Sequence, residues 1–230
     1  MAWEEEPICA MRIRNTAKKY DIDLVEFFRG EPYSGHYQMK IDRLSEKIKE
    51  YAGTHQIVLY TDGEDSVFTN TIEEIHRRYL ALNHPFVMSS NTVCWPNSDM
   101  GVKFPETKTR FRYLCAGGFM ADIGHYLKTI EILDEKRKRL GWSPNNRYPC
   151  RSIFRDDQAA LNEAYANREI DLKIDSECQI FVVGKNVRFW RNRNQHLYFD
   201  TDGITLLETG TKPCIIHGKV EQIYQYIMSL

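Results

Sequence analysis

No CxxC pair occurs among the six cysteines (Cys9, Cys94, Cys115, Cys150, Cys178 and Cys214), which lie scattered along 230 residues. A zinc ribbon needs paired cysteines and a disulfide scaffold needs a higher density, so both are excluded. Several of these cysteines sit inside apolar runs, where a free thiol behaves as a small buried hydrophobe. A basic opening segment is missing as well: "MAWEEEP" is acidic where a signal peptide would be basic. No apolar run is long enough for a bilayer, so no membrane span is expected and a cytoplasmic protein is the plain expectation. Excess charge of either sign is also lacking. With 31 Lys+Arg against 32 Asp+Glu the formal charge is −1, so no overall field favours nucleic acid or an anionic membrane. Repeats, low-complexity tracts and linkers are absent, and a single domain over residues 1–230 is expected. The hydrophobic fraction of 42% is enough for a substantial core.

What is present is an alternation of helical and strand-like patterns. "ICAMRIRNTAKKY" (8–20) places Cys9, Ile13, Ala17 and Tyr20 on one helical face, with Arg14, Lys18 and Lys19 on the other. "IDLVEFF" (22–28) reads as a strand, residues 38–51 as a helix facing inward through Ile41, Leu44 and Ile48, and "QIVLY" (56–60) as a strand buried on both faces. "TIEEIHRRYLAL" (71–82) is a helix capped by Asn70 or Thr71, and "PFVMSS" (85–90) is a strand. Further on come "FRYLCAGGFMA" (111–121) as a strand, helices at 122–140 and 156–168, "PCIIHG" (213–218) as a strand and a closing amphipathic helix. The basic run Lys136 to Arg139 reads as the solvated end of its helix. Alternation of this kind predicts an α/β fold with a largely parallel sheet. In such sheets ligands bind beyond the carboxyl ends of the strands.

Asp62 and Asp65 in "LYTDGEDSVF" follow such a strand end. They read either as an acidic turn or as a carboxylate pair that holds a hard divalent cation through oxygen. A calcium loop is excluded because its alternating acids, sixth glycine and twelfth glutamate are absent. Asp200-Thr201-Asp202-Gly203 mimics a phosphatase nucleophile loop. However, Ile204 departs from that pattern, and Asp-Gly between two apolar runs is a hairpin signal. Asp156 and Asp157 open a helix, where one carboxylate caps and the other is available for chemistry. Gly117 and Gly118 inside a strand mark a bulge or a close backbone approach. Trp95 is a loop indole suited to stacking or to plugging a core, and His217 is a surface histidine or a metal ligand.

Taken in order, "YTDGEDSVF", "NTVCWP", "YLCAGGFM", "DDQ", "IDSECQIF" and "PCIIHG" form a set. It resembles the glycosyltransferase domain of the procollagen lysyl hydroxylases and related viral and bacterial collagen-type glycosyltransferases. The resemblance implies a GT-A fold with a Rossmann-like nucleotide-binding half and a mixed central sheet. It also implies a retaining transferase using Mn²⁺ and UDP-glucose or UDP-galactose, with a hydroxyl acceptor. By position it places the metal on Asp62, Asp65 and His217 and the acidic pair beside the transferred sugar on Asp156 and Asp157. Trp95, Lys40, Gly117, Gly118 and Lys219 fall in the substrate-binding set. Three departures stand out. The family's N-S-G-G is Cys115-Ala116-Gly117-Gly118, Lys219 follows His217-Gly218 where Asn is common, and "MAWEEEP" offers no counterpart to the family's opening strand. They leave, as an alternative, a GT-A-like domain that binds a nucleotide sugar or a partner without turnover.

Overall fold

The computed structural model describes residues 8–27, 38–139, 157–184, 197–200, 203–218 and 220–230. Helix α1 (Ile8–Lys19) buries Ile13 and Ala17 as its periodicity predicts, and the Thr16 hydroxyl accepts the Phe68 N–H at 3.1 Å. The segment 22–27 forms no strand, contrary to its alternation. Ile22 and Leu24 instead pack, as Ile57 and Leu59 do, on the apolar cluster that includes Ile13, Phe68 and Ile75, so the alternation serves side-chain packing without a ladder. Helix α2 (Gln38–Tyr51) turns Ile41, Leu44 and Ile48 inward.

Strands β1 (Ile57–Thr61), β3 (Phe86–Asn91), β4 (Tyr113–Asp122) and β5 (Lys173–Ile174) make a four-stranded sheet in the order β1-β4-β3-β5. Helix α3 (Ile72–Leu82), capped by Thr71, returns the chain so that β3 runs in the direction of β1. Strand β4 then inserts between them and runs antiparallel to both, while β3 and β5 are parallel. The sheet is therefore mixed, not largely parallel as the helix–strand alternation predicts. Insertion of β4 also leaves β1 at the sheet edge among the described residues. Of its residues only Tyr60 is buried, not the whole strand.

A second sheet, in the order β2-β9-β6, combines β2 (Ser66–Phe68), β9 (Ile215–His217) and β6 (Phe181–Val183). Its middle strand β9 is antiparallel to β2 and parallel to β6. Asp175, only 1% exposed, fixes the turn leading into β6. One of its oxygens accepts the Gln179 N–H at 2.9 Å, and the other accepts the N–H groups of Ile180 and Phe181 at 2.8 and 2.9 Å. Burial pushes this carboxyl upward in pKa against the pull of those three donors. Strands β7 (Leu197–Asp200) and β8 (Gly203–Leu206) form the expected hairpin, with Asp200 opposite Gly203. Asp202 lies outside the described residues.

Helices α4 (Ile123–Arg139) and α5 (Asp157–Ala166) cover the four-stranded sheet. Lys136 is not solvated: it is 8% exposed and its ammonium lies 3.2 Å from Glu163 and 2.8 Å from Glu169. That link clamps α4 to α5, because a buried ammonium must be paired. Helix α6 (Glu221–Ser229) packs on α1 through Arg12–Glu221 and Asn15–Tyr224. Cys94, Cys115, Cys178 and Cys214 are buried and free, and burial raises the Cys214 thiol to about 12. Among the described residues no helix is long and apolar enough to cross a membrane.

Candidate functional site

Asp62 lies just past β1 of the first sheet, whereas Asp65 immediately precedes β2 and His217 ends β9 in the second. Ser66 pairs with His217 across the β2–β9 ladder, and the Gly218 N–H donates to the Asp65 carbonyl at 2.6 Å. The main chain thus sets Asp65 beside His217. Asp62 is fixed from the other side, its N–H donating to the Gly117 carbonyl at 3.0 Å. One ligand atom from each of Asp62, Asp65 and His217 falls within 4.8 Å of the others. His217 Nε2 lies 3.4 Å from Asp62 Oδ2 and 3.0 Å from Asp65 Oδ1. Glu64, between the two aspartates, is exposed and outside this cluster.

The glycine pair explains how His217 reaches the acids. Met88 of β3 pairs with Phe119, yet the next residue, Ser89, pairs with Cys115. Ala116, Gly117 and Gly118 therefore bulge away from β3, toward the second sheet. A Cβ on Gly117 would stand 2.3 Å from His217 Cε1, and one on Gly118 would stand 3.0 Å from the Phe181 ring. At Gly117 the imidazole leaves no room for a side chain, whereas at Gly118 the Phe181 ring would have to give by a few tenths of an ångström. Cys115 Sγ sits 3.9 Å from His217 Nδ1 and flanks the ring on the side away from the acids.

Lys40, on α2, reaches into the same site. Its ammonium donates to Asp157 Oδ2 at 2.6 Å, Asp62 Oδ1 at 3.2 Å and the Ala116 carbonyl at 3.5 Å. Tyr60 donates its hydroxyl to that same Asp62 Oδ1 at 2.6 Å. Behind them Tyr60, Phe119 and Tyr126 stack with ring centroids 5.2 and 5.0 Å apart, a rigid apolar wall. The charges follow from this packing. Burial works against an ionised Asp62, but Lys40, His217 and the Tyr60 hydroxyl overcome it and hold its carboxyl far below the usual range. Burial works against a charged His217 too, yet Asp62 and Asp65 raise its pKa well above the ordinary value. Lys40 is likewise held protonated, its burial outweighed by Tyr60, Asp62 and Asp157. Burial together with Asp62 keeps Tyr60 neutral.

Two carboxylates and an imidazole form an oxygen–nitrogen donor set suited to a divalent first-row cation. The geometry fits it. Asp62 Oδ1 is taken by Lys40 and Tyr60, which leaves Oδ2 directed at His217, while the glycine at 117 lets the imidazole in.

Asp157 is the first residue of α5, and its Oδ1 accepts the Gln158 N–H at 2.9 Å. Gln158 accepts the Ala116 N–H at 3.2 Å and donates to the Trp95 carbonyl at 3.1 Å, and Asn162, one helical turn on, donates to the same carbonyl. The Trp95 backbone is thereby anchored to α5 while the residue stays 59% exposed. The structure thus brings Lys40, Asp62, Asp65, Gly117, Asp157 and His217 to one site, with Trp95 tied to its rim. Asp156 and Lys219 lie outside the described residues. Sequence reasoning missed Tyr60, Gln158 and Asn162. Spacing gave a signal for the two amides, four residues apart on one helix, but none for Tyr60.

Residues 6–226 match the family model described as the PLOD GT domain. Among curated proteins, procollagen-lysine,2-oxoglutarate 5-dioxygenase of Drosophila melanogaster is 26% identical over 90% of this chain and 28% of its own length. Procollagen-lysine,2-oxoglutarate 5-dioxygenase 2 of Mus musculus is 26% identical over 74% of this chain and 22% of its own. The chain spans about a quarter of the length of these relatives. Among solved structures, a glycosyltransferase involved in the glycosylation of the major capsid of PBCV-1 superposes with a TM-score of 0.52 at 12% identity, covering 99% of this chain and 96% of that one. The mixed α/β architecture is accordingly GT-A-like.

Proposed function

This chain belongs to the PLOD GT domain family, and from that premise we propose that it transfers a hexose from UDP-glucose or UDP-galactose to a hydroxyl acceptor, with Mn²⁺ and with retention of anomeric configuration. The observation that carries the reading is the convergence of Asp62, Asp65 and His217 within 4.8 Å from two sheets. Those three residues would hold the ion, whose charge would offset that developing on the departing UDP.

To the other groups we assign the roles that the family resemblance suggests. Asp157, pinned by Lys40 and by the Gln158 N–H, presents fixed negative charge where the hexose becomes oxocarbenium-like. With both its oxygens engaged, Asp157 acts electrostatically, and its neighbour Asp156 is the carboxylate assigned to direct attack. The backbone at Gly117 and Gly118 is the proposed floor for the donor sugar, and Lys219 a cation for the diphosphate. Trp95 offers an apolar ring face to the sugar or acceptor. In the reaction a bond from Asp156 to the anomeric carbon forms as the bond to the phosphate oxygen breaks, and UDP leaves with its electron pair. The acceptor oxygen then displaces Asp156 from that carbon and passes its proton to the freed carboxylate, so that two inversions give retention. The relatives are named for procollagen lysine, so a hydroxyl on a modified lysine is the acceptor to try first.

A panel of UDP-sugars with Mn²⁺ tests this through UDP release. The expected result is release with UDP-glucose or UDP-galactose that stops on chelation. A UDP-dependent rise in melting temperature without release would make the domain a nucleotide-sugar binder instead. Neither response in a metal-replete protein would remove the reading.

A further inference from the structure

Lys40 connects a carboxylate of the metal-ligand cluster to one outside it. An ammonium has three donors, and those of Lys40 are directed at Asp62, Asp157 and the Ala116 carbonyl. The two carboxylates do not share it equally. Asp157 Oδ2 is the nearer, 2.6 Å against 3.2 Å for Asp62 Oδ1, and its side chain is 8% exposed against 28%. Charges interact more strongly where less water screens them, so Asp157 holds the larger share of Lys40. Asp157 is itself held in place. Its Oδ1 accepts the Gln158 N–H, and the Lys136–Glu163 link ties α5 to α4.

We infer that the Asp157–Lys40 pair sets the affinity of the Asp62–Asp65–His217 centre for a divalent cation. Lys40 competes with the ion for Asp62, and Asp157 draws Lys40 away from it. The inference rests on the metal reading of that centre and adds to it a positioning role for residues that do not ligate. Its signs are opposite for the two partners. Removing Lys40 returns the full charge of Asp62 to the ion, whereas neutralising Asp157 releases Lys40 onto Asp62. Loss of packing alone would weaken the centre in both cases.

The test is Mn²⁺ binding to the full chain without nucleotide, read from the free-ion electron paramagnetic resonance signal at one fixed pH. Partners outside the ligand set typically change metal affinity about 10–100-fold. Lys40→Met is expected to bind Mn²⁺ roughly ten-fold more tightly and Asp157→Asn roughly ten-fold more weakly. The double variant is expected to bind as Lys40→Met does, because Asp157 acts through Lys40. A double variant midway between the two would mean that Asp157 acts independently and would overturn the inference. Lys40→Gln, which keeps the length and polarity of the side chain, follows Lys40→Met if charge is the cause. Lys40→Arg stays near the parent. Weaker binding in both single variants, or unchanged binding in both, overturns the inference while leaving the centre itself intact. No Mn²⁺ binding by the parent chain, with or without UDP, removes the metal reading beneath it.

Discussion

Substituting Gly117 by alanine puts a methyl group 2.3 Å from His217 Cε1 and 2.7 Å from both ring nitrogens. Carbon–carbon contact is comfortable at about 3.5–4.0 Å, so ring and methyl must separate by more than 1 Å. The backbone of His217 cannot supply that movement, because β9 is paired on both sides, to Ser66 and to Val183. Two responses remain. If the imidazole stays, the overlap destabilises the fold by about 1–3 kcal/mol, which for a chain of this size lowers the melting temperature by roughly 2–4 °C per kcal/mol. If the imidazole swings out, Nε2 leaves Asp62 and Asp65 and the centre loses its third ligand. Mn²⁺ affinity then falls by at least about 100-fold, beyond the usual effect of an outer partner. Thermal melting and Mn²⁺ titration of the same sample distinguish the responses. Gly53→Ala is the control, since a Cβ there meets nothing within 4 Å. A Gly117→Ala protein with both the parent's melting temperature and its Mn²⁺ affinity would refute the account of the bulge.

Two further outcomes follow from groups away from the site. Asn at 175 can accept on one oxygen only, so Asp175→Asn leaves at least one of the Gln179, Ile180 and Phe181 N–H groups facing an amide donor. Urea unfolding should show a loss of about 2–4 kcal/mol, and a loss below 0.5 kcal/mol would mean the turn does not depend on that carboxylate. Glu74, bonded to Arg77 and Arg78, is lowered from 4.5 to about 2, first by Arg77 and then by Arg78. A depressed carboxyl stabilises above its unfolded pKa and loses that contribution as pH falls through the folded one. Partial exposure screens the cluster, so Glu74→Gln should cost about 1 kcal/mol at pH 7. That difference should narrow as pH drops from 4.5 toward 2, and a gap that widened in acid would contradict it.

Periodicity located α1, α2, α3 and α6 because each buries one face against a neighbour in the way its spacing implies, and a short apolar run located β3, which is buried on both faces. It failed at 22–27, where apolar alternation serves packing, and at β1, where a continuous apolar run lies on a sheet edge. Strand direction was not legible. Nothing in "YLCAGGFMA" says that β4 enters between β1 and β3 and reverses the sheet. Lys136 looked like a solvated cation because its partners, Glu163 in α5 and Glu169 just after it, are distant in sequence. At the site, the order of motifs made Asp62, Asp65 and His217 nameable. What the glycines accommodate and what Lys40 holds depend on contacts between distant elements.

The place of β9 in the second sheet also governs when the centre can exist. β9 is the middle strand, so β2 and β6 are joined only through it and neither has its ladder until it arrives. A growing polypeptide halted before Ile215 would hold Asp62 and Asp65 but neither His217 nor the strand that places Asp65. On the proposed metal reading, the complete ligand set is therefore acquired late and all at once during synthesis. Shorter nascent lengths should be protease-sensitive at β2, and Mn²⁺ should protect only chains in which β9 has cleared the ribosome.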